Sequence, residues 1–89
     1  MRVLVEPGVS STFLGGGGIA VLSERTGKLH VGNSTASAMW SAIVDHDGDV
    51  DRAAAAVATF FGVDNRKVKV DLEQLVGALK QAGLVRTEP

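Results

Sequence analysis

At Asn33 the apolar residues of this chain change their period, and that switch constrains the fold more than any other feature. Before it, Ile19 to Leu22 is apolar at every position, and Lys28, Leu29, His30 and Val31 alternate polar with apolar as a half-buried strand does. After it, Ala36, Met39, Trp40, Ile43 and Val44 recur at the i, i+3, i+4, i+7, i+8 spacing of one helical face. Gly27 lies between the two strand-like runs, where a left-handed residue closes a short hairpin loop without the cost of a Cβ. Asn33 or Ser34 can cap the helix that follows. The stretch Gly18 to Trp40 thus predicts a hairpin, a helix start and an apolar helix face.

The same signals continue on both sides. Val9 to Leu14 is rich in β-branched and aromatic residues and reads as a strand, with Gly15 to Gly18 as a loose turn. With Ile19–Ser23, a turn at Glu24–Gly27 and a third strand at Lys28–Gly32, this predicts a three-stranded meander. Val3 to Val5 reads as a short fourth piece. Asp45 to Gly48 ends the first helix, and Asp49 can cap a second running to Phe61, with Val50, Ala54, Val57 and Phe61 on one side and Gly62 as its stop.

Asp64 can cap a third helix, in which Val68, Leu72, Leu75, Val76 and Leu79 make a core stripe and Gly83 is the stop. With Gly83 as the left-handed residue after the helix, Leu84 and Leu79 form the apolar pair of a Schellman cap, and the same arithmetic at Gly62 brings Val63 near Ala58 and Val57. Arg86 to Pro89 reads as a frayed tail. A single domain over residues 1–89 is expected, with 1–8 and 86–89 as flexible flanks. Three strands followed by three helices, without βαβ alternation, predict an α+β fold whose helices cover one face of a small antiparallel sheet.

Composition narrows the class of function. The 89 residues, 45% apolar and 21% charged, suit one modest core and not a disordered segment. Nine basic residues against ten acidic ones leave a net charge of −1, so no global field draws in a polyanion. Without cysteine there is no disulfide framework, thiolate metal site or thiol nucleophile. Arg2 is followed only by Val3, Leu4, Val5, Glu6 and Pro7, too short and broken for a secretory segment. No run approaches the roughly 18–20 apolar residues of a membrane span. A cytoplasmic protein without membrane contact is expected.

Motifs for chemistry are weak. Gly15 to Ala20 formally fits G-x-G-x-x-A, but a strand follows where a dinucleotide site needs a helix. Gly27-Lys28 lacks the other residues of a phosphate loop. Asp45, Asp47, Asp49 and Asp51 surround Gly48, yet the glycine is misplaced for a calcium loop and Ala56 stands where the bidentate glutamate belongs. His46 has no partner histidine nearby and reads as a surface residue. With no nucleophile elbow, paired-carboxylate cleft or metal-binding histidine pair, no catalytic residue, metal or cofactor is expected.

The order Gly18-Ile-Ala-Val-Leu-Ser-Glu-Arg-Thr-Gly27, then Leu29 and Val31-Gly32-Asn33, Trp40, Phe61-Gly-Val-Asp64, Val68, Asp71-Leu72, Leu75, Leu79 and Gly83-Leu84 resembles the PqqD-like family of precursor-peptide recognition elements. The likeness runs from about Val9 to Val85. It departs from the family pattern at Ser34, where a proline often follows the asparagine, and in the length of the glycine run. What the resemblance implies is a winged-helix-like domain, three strands and then three helices, that binds the leader segment of a ribosomally made precursor peptide. The leader is expected to add to the third strand and to lie between it and the third helix. The resemblance further implies service to a leader peptidase in lasso-peptide biosynthesis, or alternatively to a radical SAM enzyme of another pathway.

The residues themselves agree with that expectation. An edge strand carries unpaired N–H and C=O groups that recruit other chains, and strand addition uses them for register while side-chain pockets supply specificity. Lys28 and His30 should face one way and Leu29 and Val31 the other. On the third helix Lys67, Asp71, Gln74 and Ala78 form one flank, and Val68 and Leu75 the adjoining edge of the core stripe. The resemblance, which places an acidic residue before a leucine at the groove, as in Asp71-Leu72, selects this flank. A winged-helix nucleic-acid binder is the rival from another class, resting on Arg66, Lys67, Lys69 and Lys80 of a helix that also carries Asp71 and Glu73. A purely structural subunit of a modification complex is a third option. The oligomeric state stays open, because an unpaired edge can self-associate.

Overall fold

The computed structural model describes residues 1–89. Its strands are β1 (Arg2–Val5), β2 (Val9–Phe13), β3 (Ile19–Ser23), β4 (Leu29–Gly32) and β5 (Val85–Glu88), and its helices α1 (Ser34–Asp45), α2 (Val50–Phe61) and α3 (Asn65–Gln81). The strands form an antiparallel sheet of order β2-β3-β4 and a two-stranded ribbon of β1 with β5. The expected meander and three helices are therefore present, and the third strand of the meander is β4.

Each helix starts and stops where its local chemistry directs. Asn33 caps α1 by accepting from the Ala36 N–H at 3.0 Å, Asp49 caps α2 through Arg52 N–H at 3.1 Å, and Asp64 caps α3 through Arg66 N–H at 2.8 Å. Gly83, at φ 72°, makes the Schellman turn: Leu84 N–H donates to the Leu79 carbonyl at 2.9 Å and Gly83 N–H to that of Lys80 at 3.0 Å. Leu79 and Leu84 are both fully buried. Gly62, at φ 66°, ends α2 in the same manner, with Val63 N–H on the Ala58 carbonyl.

The core is one cluster that draws on both sheets and all three helices, with Ile19, Val21, Trp40, Ile43, Val50, Leu72, Leu79 and Leu84 among its members. Trp40 is buried in it, as the sequence implies. Lys69 of α3 meets Asp51 of α2 at 2.9 Å. The Lys69 hydrogen bond and charge hold the Asp51 carboxyl below its ordinary value, and the same bond and charge raise the Lys69 ammonium.

Three sequence expectations are corrected. The segment read as a frayed tail is strand β5: Val85 to Glu88 pair with Val5 to Arg2. Its inner side explains why, since Val85 and, on the same face of β1, Val3 are buried, while Lys80 Nζ donates to Thr87 Oγ1 at 3.2 Å and Arg86 sits 3.6 Å from Glu6. On α1, Val44 falls at the margin of the apolar stripe and is exposed, and Ser37 is buried in the arc instead. Phe61 is also exposed, because the chain turns away at Gly62 and leaves the last turn of α2 uncovered on that side.

Candidate functional site

Backbone pairing along β4 defines the site. Ser23 N–H donates to the Lys28 carbonyl at 2.9 Å, and β3 pairs Val21 with His30 and Ile19 with Gly32. Hydrogen-bonded and non-hydrogen-bonded pairs alternate along an antiparallel ladder. Lys28, His30 and Gly32 therefore turn their backbone groups toward β3. Leu29 and Val31 turn theirs outward, and β4 is the last strand of its sheet. Two N–H and two C=O groups are thus presented in a row along an open edge.

Side chains follow the same alternation. Lys28 and His30 lie on one side, with His30 half-buried toward the helices. Leu29 and Val31 lie on the other, 57% and 59% exposed. The period of the strand is the expected one, but its burial is inverted, with the apolar residues facing solvent. Gly32 explains how β4 comes so close to α1: a Cβ there would stand 2.6 Å from that of Ala36.

Beyond Gly32 the chain enters α1, and Thr35 opens onto a cavity of about 320 Å³ lined by Met39, Val57, Phe61, Val63, Lys67, Val68 and Asp71. Of the residues expected on α3, the structure brings Lys67, Val68 and Asp71 together here. Lys67 and Asp71 are exposed, and Val68 is buried with its stripe. Gln74, Leu75 and Ala78 lie further along α3, outside the cavity; Gln74 and Ala78 are exposed and Leu75 is half-buried against the core.

Thr35, Met39, Phe61 and Val63 were not singled out as binding residues from sequence. The one available signal was Phe61-Gly62-Val63, a helix stop with apolar residues on both sides. The cavity is an apolar slot with one cation and one anion on its rim, suited to an extended peptide with apolar side chains. A second apolar cavity of about 300 Å³, between α1 and α2, contains none of the expected binding residues and shares only the wall of Val57 and Phe61 with the first.

Comparison with known proteins identifies the family and the fold. The profile of the PqqD family, described as Coenzyme PQQ synthesis protein D, matches residues 18–85. The chain belongs to the PqqD family. Two solved structures share its fold. One, described as TbiB1 in complex with the TbiA(beta) leader peptide, superposes with a TM-score of 0.82 at 20% identity, covering 97% of this chain and 98% of the other. The second, described as lasso peptide synthetase B1 complexed with the leader peptide, gives 0.80 at 21% identity, over 98% of this chain and all of the other. A search of curated protein sequences finds no match.

Proposed function

We propose that this chain binds the leader segment of a ribosomally synthesised precursor peptide as an added strand on β4 and presents it to a leader peptidase of lasso-peptide biosynthesis. It acts as a non-catalytic adaptor in the cytoplasm, raising the effective concentration of the precursor at the enzyme. The observation that carries this reading is the row of outward backbone groups at Leu29 and Val31, which leads at Gly32 toward the open cavity of Thr35, Met39, Phe61, Lys67, Val68 and Asp71. Membership of the PqqD family and a fold shared with two leader-peptide complexes support it.

In this reading Leu29 and Val31 give the guest its register and Lys28 and His30 flank it. Lys67, Val68 and Asp71 select its inward side chains, and Gln74, Leu75 and Ala78 extend the wall along α3. Burial of about 500 Å² of apolar area yields a gross gain on the order of 12 kcal/mol at roughly 25 cal/mol per Å². Ordering a flexible leader and losing rigid-body freedom consume much of it, so affinity between nanomolar and micromolar is expected.

The nucleic-acid alternative loses support from the charges of α3. Lys69 is paired with Asp51 and Arg66 lies beside its own cap Asp64, so the charges of Lys67 and Lys80 stand alone on a helix that also carries Asp71 and Glu73. Titration of the chain into the fluorescently labelled leader of a precursor encoded beside it tests the proposal. Saturable binding in the stated range is expected, and a flat titration with folded protein contradicts it.

A further inference from the structure

The sheet has a second open edge, on β2, and nothing in the leader-binding reading uses it. Leu14 N–H donates to the Gly18 carbonyl and Glu24 N–H to that of Gly8, which fixes the hydrogen-bonded pairs of β2 with β3 at Ser10 with Leu22 and Thr12 with Ala20. Ser11 and Phe13 therefore point both backbone groups away from β3, as does the Val9 carbonyl, while Val9 N–H is held by Glu6 at 3.3 Å. Natural edge strands are usually blunted by a charge, a proline or a bulge. Val-Ser-Ser-Thr-Phe has none of these. Phe13 at this edge is 63% exposed, and a cavity of about 310 Å³ runs beside the strand between Ser11, Phe13, Trp40 and Val44.

We infer that the β2 edge pairs with the β2 edge of a second copy of this chain, antiparallel and centred on Ser11. That register is self-complementary at every position but the Phe13 carbonyl, whose donor there, Val9 N–H, is already held by Glu6. Each Ser11 N–H reaches the Ser11 carbonyl of the other copy, and each Phe13 N–H the free Val9 carbonyl. On the helix-facing side, Phe13 stands opposite Val9 of the second copy, an aromatic and β-branched pair; on the other side, Ser10 stands opposite Thr12. Both are cross-strand combinations that stabilise sheets, and no like charges face each other. The contact is isologous, so it closes at two copies.

The β4 edge is a poorer match to itself. It offers outward groups at only Leu29 and Val31, and pairing them would set His30 against His30. Pairing through β2 gives a six-stranded sheet of order β4-β3-β2-β2-β3-β4, which leaves a vacant β4 edge at each end. The dimer is therefore a bivalent display of the proposed peptide site, although its formation does not depend on that site. Five-residue edges with one exposed phenylalanine each fall short of the roughly 1,200–2,000 Å² of a standard stable interface, so association is weak and concentration-dependent.

Sedimentation of the full chain from about 10 μM to about 1 mM, a range that reaches weak millimolar association, tests the inference beside Ser11→Pro, Phe13→Lys and Leu29→Pro. Ser11→Pro removes an outward donor at an edge position that tolerates proline, and Phe13→Lys replaces the exposed ring should the first variant fail to fold. The expected result is a monomer–dimer equilibrium, shifted at least tenfold toward monomer by Ser11→Pro or Phe13→Lys and unchanged by Leu29→Pro. A monomer throughout the range overturns the inference, as does a dimer that Leu29→Pro abolishes or that neither β2 variant weakens.

Discussion

Strands β4 and β5 are each four residues long, and each reads in isolation as the opposite of what it does. Val85-Arg-Thr-Glu looks like a polar tail, yet it is paired along its whole length with β1 and closes the core with Val85 and the neighbouring Leu84. Leu29-His-Val-Gly looks like half of a buried hairpin, yet it keeps one edge vacant and turns Leu29 and Val31 to solvent. Backbone pairing capacity is the same for both. What separates them is whether the rest of the chain supplies a partner: β1 supplies one for β5, and no strand pairs with the outer edge of β4.

The widest separation between the two strands should appear at Leu84, which has no exposed surface. Leu84→Ala is expected to cost about 2–5 kcal/mol of stability in urea unfolding, from lost transfer energy and the cavity left behind. A cost below about 1 kcal/mol would break the assignment of the β5 side to stability. Leu29→Pro should do the converse, removing an outward N–H where proline is tolerated. Leader affinity is expected to fall at least tenfold, which is about 1.4 kcal/mol, with the urea midpoint and far-UV spectrum unchanged.

Asp71→Ala sharpens the same contrast inside the proposed groove. A loss of about 0.5–1.5 kcal/mol in leader binding, the size of one polar contact, should come with unaltered stability; equal affinity would remove Asp71 from the site. Smallest of all is the effect of the exposed Lys69–Asp51 bridge between α2 and α3. Lys69 holds the Asp51 carboxyl below 3.8, so the bridge stabilises above the unfolded carboxylate value and that contribution is lost as pH falls through the lowered folded value. The Lys69 ammonium is raised above 10.5, so its contribution is complete below that value and lost as pH rises through the folded one. Lys69→Ala should flatten both limbs slightly in a pH series of thermal melts without changing leader affinity.

Local chemistry made most of the fold legible. The Asn33, Asp49 and Asp64 caps, the Gly62 and Gly83 stops and the Leu79–Leu84 pair are short-range features, and each stands where the sequence puts it. Strand β5 was not legible because its pairing partner lies eighty or more positions away, at Arg2 to Val5, and no local pattern encodes that distance. The exposure of Leu29 and Val31 was hidden for a related reason: alternation fixes which residues share a face, but only tertiary packing decides which face is covered. On α3, Lys67, Val68 and Asp71 could be grouped from helical spacing, whereas Thr35, Met39, Phe61 and Val63 join them only through the packing of three helices.

Hydrogen exchange at the Leu29 and Val31 amides, followed by NMR with and without saturating leader peptide, tests the central claim most directly. Strand addition on β4 requires both amides to pass from rapid exchange to strong protection, while His30, already bonded to β3, changes little. Saturable binding that leaves Leu29 and Val31 exchanging freely would mean that the leader docks elsewhere, and the vacant edge of β4 would not be the recognition element.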